Sequence, residues 1–232
     1  MKNGKILFPL IFLHLAWSQV LTTVRVDFEK YTEDETGSEL ICGTIYHKIP
    51  HIFFIQVSEP INQIVISQPE TLIIYYPEDT LVFKFSTDSS FAVTLLQPFL
   101  GALKEDYGLT DLGYQLSRYE RRGDTLMTWW RPSGKPRTDL NKFFLVYISN
   151  AVHYVELKRK DGTPICTSRY GEHLKYGDYY FPLEISTVYY EDGDSTIEKI
   201  KFFNPGFNIE LPETVLNFKP PPGVKIEKIP WE

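Results

Sequence analysis

Cysteine is scarce in this chain of 232 residues, which contains only Cys42 and Cys166. A dense disulfide framework of the kind that stabilises small secreted domains is therefore excluded. In an oxidising compartment the two thiols could form a disulfide that closes a long loop, or they could remain two separate buried thiols in different strands. The sequence leaves both alternatives open.

Motifs for catalysis and metal binding are also lacking. The chain has no Gly-x-Ser-x-Gly elbow, no phosphate-binding loop and no dinucleotide-binding glycine pattern. His47 and His51 have the spacing of a zinc pair on a helix, but Pro50 and the surrounding strand pattern exclude a helix there. We therefore predict no catalytic residue, no metal site and no cofactor, and we expect that the protein is not an enzyme.

Long apolar runs are confined to the N-terminus, where Lys2 and Lys5 precede the stretch ILFPLIFLHLAW and a small-x-small site at Ala16 to Ser18. This pattern predicts a signal peptide over residues 1–18 and an exported chain over residues 19–232. An uncleaved anchor is the alternative, although the run is short for a bilayer. No cysteine follows the run directly, so we expect a soluble protein that is not itself lipidated.

Positive charge is in deficit. The chain has 24 Lys and Arg residues against 30 Asp and Glu residues, which gives a formal net charge of −6. Proteins that bind nucleic acid neutralise phosphates with an excess of basic residues. We therefore expect no nucleic acid partner.

Short β-strand patterns fill most of the chain. Alternating segments such as TVRVDFEKYTED and TLMTWWRP are separated by turn residues. The stretch RPSGKPRTD, residues 131–139, is rich in proline and glycine, but its nine residues indicate a long surface loop and not a domain boundary. The pattern predicts a mainly β protein with one domain. We expect a single strongly curved antiparallel sheet of about 10–11 strands that forms an incomplete, open β-barrel.

One segment departs from the strand pattern. The stretch SSFAVTLLQPFLGALKEDYG has apolar residues at every fourth position, which is helical spacing. Pro98 removes a backbone donor from its middle, so we expect two short helical pieces or one kinked helix. The predicted helical insertion covers about residues 89–106, and its apolar positions are Phe91, Leu95, Phe99 and Leu103.

The stretch from Gly43 to Thr80 carries more apolar surface than a small antiparallel sheet needs. Its side chains could fill an ordinary core, as most apolar strand residues do, or they could line a cavity for a ligand. Strand alternation indicates which residues share a face, but it does not indicate what that face encloses. The residues concerned are Phe53, Ile55, Val57, Ile64, Ile66, Leu72 and Ile74.

Two further motifs stand out, one from Gly43 to Pro77 and the other, LNFKPPPGVKI, from Leu216 to Ile226. Both resemble the LolA family of periplasmic lipoprotein carriers, and the second is similar to the family's terminal F-x-F-x-P-P-x-G-V pattern. Their order and separation agree with the family, so the resemblance spans nearly the whole exported chain. The family's places in the first motif are occupied by Gly43, Tyr46, Lys48, Pro50, Phe53, Pro60, Ile66-Ser67, Thr71-Leu72 and Tyr75 to Pro77.

The resemblance implies a half-barrel whose concave apolar face forms an acyl-chain cavity, with the seven residues named above as its wall and the helical insertion as its lid. It implies a monomeric periplasmic chaperone that binds the acyl chains of lipoproteins. The carrier would receive them from an inner-membrane ABC-type lipoprotein release complex and deliver them to an outer-membrane acceptor. Exposing an acyl chain of about 16 methylenes to water costs roughly 13 kcal/mol, so such cargo does not cross the periplasm unaided.

The sequence departs from the family at the place of an arginine that holds the lid closed. Ile49 stands there, and Lys48 is expected on the opposite face of the strand. The helix that precedes the first strand in the family also has little room here. We therefore expect a smaller lid that opens more readily.

Two further interpretations keep the same fold. Periplasmic regulators of envelope stress resemble this half-barrel and use it to sense mislocalised lipids. A carrier of free lipids or glycolipids would also have the same sequence pattern. The cargo is not determined by the sequence.

Overall fold

The structure is a computed structural model that describes residues 20–50, 52–68, 71–86, 97–133, 140–191 and 193–230. Most of these residues belong to β-strands, and two short helices interrupt them. The strands are β1 (Thr23–Asp34), β2 (Gly37–Lys48), β3 (Ile52–Glu59), β4 (Gln63–Gln68), β5 (Thr71–Tyr76), β6 (Leu81–Ser86), β7 (Tyr114–Arg122), β8 (Thr125–Pro132), β9 (Leu140–Ile148), β10 (Ala151–Arg159), β11 (Pro164–Tyr176), β12 (Tyr179–Glu191), β13 (Asp194–Phe207) and β14 (Lys225–Pro230). The helices are α1 (Gln97–Ala102) and α2 (Glu213–Leu216).

All fourteen strands belong to one open sheet. Their spatial order is β14-β6-β5-β4-β3-β2-β1-β13-β12-β11-β10-β9-β8-β7. Every neighbouring pair is antiparallel except β14 and β6, which are parallel. The predicted fold class, a mainly β open half-barrel, is therefore confirmed.

The predicted strand number of 10–11 was too low. The C-terminal segment KIEKIP adds a strand that pairs with β6 in parallel. A parallel strand is reached through a long connection and has no hairpin turn beside it in the sequence. Its pairing is therefore not visible in the local pattern.

The register defines two faces of the sheet. Phe28 of β1 lies opposite Gly43 of β2 on one side and Phe202 of β13 on the other. We call the face that carries Phe28 the inner face. Its buried apolar side chains form one continuous cluster, in which burying each large side chain contributes roughly 1.5–3 kcal/mol. This cluster includes Val24, Val26, Phe28, Ile45, Phe53, Ile55, Val57, Leu72, Leu145, Val155, Phe181, Ile185, Ile200 and Phe202.

A segment between β6 and β7 lies on the inner face. We call residues 97–113 the cover segment. Phe99 of α1 is fully buried, and its ring centroid lies 5.5 Å from those of both Phe181 and Phe202. Tyr107 and Leu109 are buried in the same cluster. The cover segment therefore shields part of the inner face from water.

The opposite, outer face has a smaller apolar cluster beneath α2. Val215 of α2 and Phe218 pack against Phe54 and Ile66. The ring centroids of Phe54 and Phe218 lie 5.6 Å apart in an edge-to-face arrangement. This cluster fixes the chain that leads to β14.

In the described ranges, neither helix is long and apolar enough to cross a membrane.

Candidate functional site

The inner face brings together five of the seven residues predicted to line a cavity. Phe53, Ile55 and Val57 are on β3 and are between 1% and 6% exposed. Leu72 and Ile74 of β5 belong to the same cluster, because Ile55 pairs with Val65 of β4 and Val65 pairs with Ile74. These five side chains form one side of a continuous apolar surface.

The structure corrects the placement of the other two residues. Ile64 and Ile66 lie on the outer face, where they belong to the cluster beneath α2. Ile66 pairs directly with Phe54, which alternates away from Phe53 and Ile55. The turn between β3 and β4 sets this register, and a shift of one residue would exchange the two faces. Val65 is the residue of β4 that reaches the inner cluster.

Of the four predicted lid residues, two lie in the described part of the chain. Phe99 is fully buried against the sheet, and Leu103 is partly buried against the same cluster. Phe91 and Leu95 fall outside the described residues. Gln97–Ala102 is the helical piece observed at the C-terminal side of the predicted insertion.

Several apolar side chains of the inner face keep partial exposure. They come from strands on both sides of the sheet centre and are packed against the buried cluster without being fully enclosed by it. Such a surface can contact an apolar ligand without unfolding the core. The set includes Ile41, Ile49, Ile74, Leu126, Trp130, Phe143, Tyr176, Tyr179, Leu183 and Phe207.

The inner face is apolar at the place of the family's lid-holding arginine. Ile49 packs against the inner cluster, and its backbone N–H donates to the Thr22 carbonyl at 2.9 Å. Lys48 is exposed, as the alternation of β2 predicts. Lys104 is a cation on the cover segment, but it forms an ion pair within that segment. Its Nζ lies 2.6 Å from Oδ2 of Asp111.

Polar side chains cross the inner face in one row that sequence reasoning missed. Ser168 of β11 and Thr187 of β12 share a hydrogen bond of 2.8 Å, and Glu198 of β13 follows Thr187 in the register. Glu198 Oε2 accepts from Lys30 Nζ at 2.5 Å. Glu198 has the same parity as Ile200 and Phe202, so the alternation of β13 indicated its face in advance.

Burial raises the pKa of four tyrosines on or against this face and keeps them neutral. The Tyr107 and Tyr170 hydroxyls are 2.5 Å apart and join the cover segment to β11, and burial raises the pKa of both. Burial, and then the charge of Glu198, raise the pKa of Tyr189. Burial and the charge of Asp106 raise the pKa of Tyr147.

His47 is a buried neutral base beneath the cover segment. Its ring stacks on Phe53 with centroids 3.7 Å apart, and Nδ1 donates to the Ile52 carbonyl at 3.1 Å. Burial lowers the pKa of His47 to about 4, and the charge of Lys104 acts in the same direction. The hydrogen bond to Ile52 opposes this shift. The imidazole is therefore uncharged at neutral pH.

The possible disulfide between Cys42 and Cys166 is not formed. Both thiols are free, and their strands, β2 and β11, are four places apart in the sheet. Neighbouring strands lie about 4.8 Å apart, whereas a disulfide needs Cα atoms within about 7 Å. Burial raises the pKa of Cys166 to about 11, which keeps the thiol protonated and unreactive.

In the ranges that the structure describes, no group of three or more His, Cys, Asp or Glu side chains is placed to hold a metal ion.

Comparison with known proteins gives similarity in structure and not in sequence. No family model matches the sequence, and no curated protein matches it. A LolA superfamily protein from Nitrosomonas europaea is 16% identical with a TM-score of 0.55, over 84% of this chain and 90% of that one.

Two further solved structures have the same architecture. A DUF1329 family protein from Desulfovibrio piger is 13% identical with a TM-score of 0.59, over 85% of this chain and 90% of that chain. A domain from Vibrio parahaemolyticus, described as an outer membrane lipoprotein-sorting protein, is 13% identical with a TM-score of 0.56, over 84% and 89% of the two chains. The expected resemblance to the LolA family is thereby confirmed at the level of the fold: this chain has a LolA-like half-barrel.

Proposed function

We propose that this chain is a periplasmic carrier that binds the acyl chains of lipoproteins on its inner face and shuttles them from the inner to the outer membrane. The partly exposed apolar side chains of the inner face carry this proposal, because they offer a contact surface beside a core that is already closed. The shared fold with a domain described as an outer membrane lipoprotein-sorting protein supports it. Binding is reversible and involves no chemical reaction.

The energetics of transfer suit a surface of this kind. An acyl chain gains roughly 0.8 kcal/mol for each methylene that it buries. The partly exposed apolar residues of β5, β8 and β9 on the inner face contribute the contact, and the cover segment limits how much of it is open to water. A surface that recovers only part of the cost of exposing the chain can both hold the cargo and release it.

The first experiment identifies the cargo. The protein is purified from its native envelope without detergent exchange, and co-purifying molecules are identified by native mass spectrometry. Acylated proteins would support the proposal. Free lipids or glycolipids alone would replace it with lipid carriage, and a signalling partner without lipid would replace it with a sensory role.

A matched pair of variants tests whether the ligand binds on the inner face. Ile74 is on the inner face and Ile73, its neighbour in β5, is on the outer face, and both are partly buried. We expect Ile74→Trp to reduce the affinity for a fluorescent fatty acid at least fivefold, because the indole occupies apolar surface that the ligand needs. Ile73→Trp should leave the affinity unchanged. Equal effects of the two variants would contradict binding on the inner face.

A further inference from the structure

Glu198 has a carboxylate oxygen that the described residues leave without a partner. The residue is 5% exposed and lies on the inner face between Thr187 of β12 and Thr32 of β1. Its Oε2 accepts from Lys30 Nζ at 2.5 Å, whereas its Oε1 is buried and accepts no hydrogen bond from the described part of the chain. The ion pair thus satisfies only one of the two carboxylate oxygens.

An unpaired acceptor of this kind is costly in a folded protein. Leaving a buried polar atom without a hydrogen bond costs on the order of 1–3 kcal/mol, and more for a charged group. The neighbouring hydroxyls do not relieve it: those of Ser168 and Thr187 bond to each other at 2.8 Å, and no described donor forms a hydrogen bond with Oε1. Lys30 balances the charge but does not reach the second oxygen. Each buried group that remains unpaired requires an explanation, and an ordered water, an ion or a donor group of a ligand can supply the missing hydrogen bond.

The surroundings of Glu198 indicate what kind of ligand this is. Ile200 and Ile185, in the adjoining row of the inner face, are apolar and almost fully buried. A ligand at this position therefore presents a hydrocarbon part to the apolar rows and a hydrogen-bond donor to Glu198. An acyl chain joined to its head through an amide N–H, or carrying a hydroxyl near that junction, has both parts.

We propose that Glu198 Oε1 accepts a hydrogen bond from an N–H or O–H group next to the acyl chain of the ligand, so that the inner face selects acyl amides and hydroxyacyl groups over simple esters. This rests on the proposed function, since it takes the inner face as the acyl-binding surface. In this proposal, Glu198 recognises the N–H or O–H group next to the acyl chain. The apolar rows supply most of the affinity, and Glu198 supplies the discrimination.

Two ligands that differ in a single atom group test the proposal. N-palmitoylglycine methyl ester carries an amide N–H where methyl palmitoyloxyacetate carries an ester oxygen. Their dissociation constants for the whole exported protein are measured by displacement of a fluorescent fatty acid. We expect the amide to bind at least tenfold more tightly, because the ester places an acceptor oxygen against the carboxylate.

The variant Glu198→Gln should change this preference. Lys30 offers only donors, so it holds the carbonyl oxygen of the introduced amide and turns its NH2 group toward the ligand. The preference for the amide ligand should then fall to less than threefold or reverse. Glu184→Gln is the matched control, because Glu184 pairs with Lys201 at 3.1 Å from the outer face of the next strand. It should retain the full preference.

The outcomes separate this inference from the proposed function. If neither ligand binds, acyl binding fails and the role of Glu198 fails with it. If both ligands bind the unmodified protein with equal affinity, Glu198 does not recognise the group next to the acyl chain. The proposed acyl-binding function is then retained, and the proposed selectivity is wrong. The comparison of the two ligands on the unmodified protein remains decisive even if Glu198→Gln does not fold.

Discussion

The hydroxyl oxygens of Tyr107 and Tyr170 lie 2.5 Å apart and are buried, so this hydrogen bond joins the cover segment to strand β11. The rings meet edge to face with centroids 6.2 Å apart. Tyr170→Phe leaves the Tyr107 hydroxyl buried without this partner. We expect the free energy of unfolding to fall by about 1–3 kcal/mol in urea titration.

The double variant Tyr107→Phe/Tyr170→Phe provides the control. Because it removes both hydroxyls, neither remains unpaired, and the loss should be smaller than the sum of the two single losses. Tyr119→Phe, at an exposed position on β7, should change stability by less than about 0.5 kcal/mol. Strictly additive losses in the double variant would show that the two hydroxyls do not interact.

The cover segment should exchange its amide hydrogens faster than the centre of the sheet. In the described part of the chain, the backbone hydrogen bonds of residues 101–113 run within the segment, apart from two: Tyr114 of β7 donates to the Leu109 carbonyl at 2.9 Å, and Ser133 donates to the Gly113 carbonyl at 2.8 Å. Its attachment to the sheet therefore depends mainly on side chains such as Phe99. Hydrogen exchange followed by mass spectrometry should show lower protection over residues 97–105 than over β1 and β13. Equal protection would contradict a cover that opens readily.

Gly101→Ala should loosen the cover further. A Cβ at position 101 would lie 2.5 Å from Cε2 of the Tyr107 ring, which is closer than real Cβ atoms come to other heavy atoms. The ring must move, and its hydrogen bond to Tyr170 is then lost. We expect faster exchange over the whole cover segment with little change in β1 and β2. A uniform increase over the entire sheet would indicate general destabilisation instead.

Gly43 is required by the close approach of β2 to β3. An added Cβ would lie 2.3 Å from the Gln56 carbonyl oxygen and 2.9 Å from the Phe28 ring. Gly43→Ala should therefore lower the free energy of unfolding by about 1–3 kcal/mol or more. Gly171→Ala is the control, because a Cβ on that strand glycine would meet no atom within 4 Å. Urea titration should separate the two variants clearly, and equal losses would argue against a steric cause at Gly43.

Acid should destabilise the protein through His47. Its pKa is about 4 in the folded state and 6.5 in the unfolded chain, so the unfolded state binds the proton first as the pH falls. Stability is then lost progressively between about pH 6.5 and pH 4, by about 3 kcal/mol in total. The test is the free energy of unfolding between pH 7 and pH 4.5. At pH 4.5 and above, carboxylates whose pKa is lowered, such as those of Asp27 and Asp106, remain ionised.

His47→Phe keeps a ring for stacking on Phe53 and removes the titrating group. Its stability should vary less with pH over this interval than that of the unmodified protein. His173, whose pKa burial also lowers, remains in both proteins and cancels in the comparison. An unchanged pH dependence would show that His47 is already charged, or exposed, at neutral pH.

The fold was largely predictable from the sequence because strand alternation and turn residues are local features. Phe53, Ile55 and Val57 share a face by alternation alone, and the structure places them together. Ile64 and Ile66 were assigned to the wrong face, because the register between β3 and β4 depends on turn geometry. Apolar character alone does not reveal the face.

The polar part of the candidate site was not predictable in the same way. Glu198 shares the parity of Ile200, but its pairing with Lys30 depends on the register between β13 and β1, which are far apart in the sequence. A charged residue in an alternating strand usually points to water. Alternation places Glu198 on the same face as Ile200, but only the assembled sheet shows that it is buried there beside Lys30.

Strands β7 and β14 are the two margins of the described sheet, and the hydrogen-bonded ladder does not close between them. Small changes of twist between neighbouring strands can therefore add up along the sheet. The opening of the half-barrel then changes in width while the hydrogen bonds between the strands are kept. A closed barrel has a fixed circumference and lacks this freedom. The width of the inner face can then change by bending of the whole wall, without local melting at any single strand.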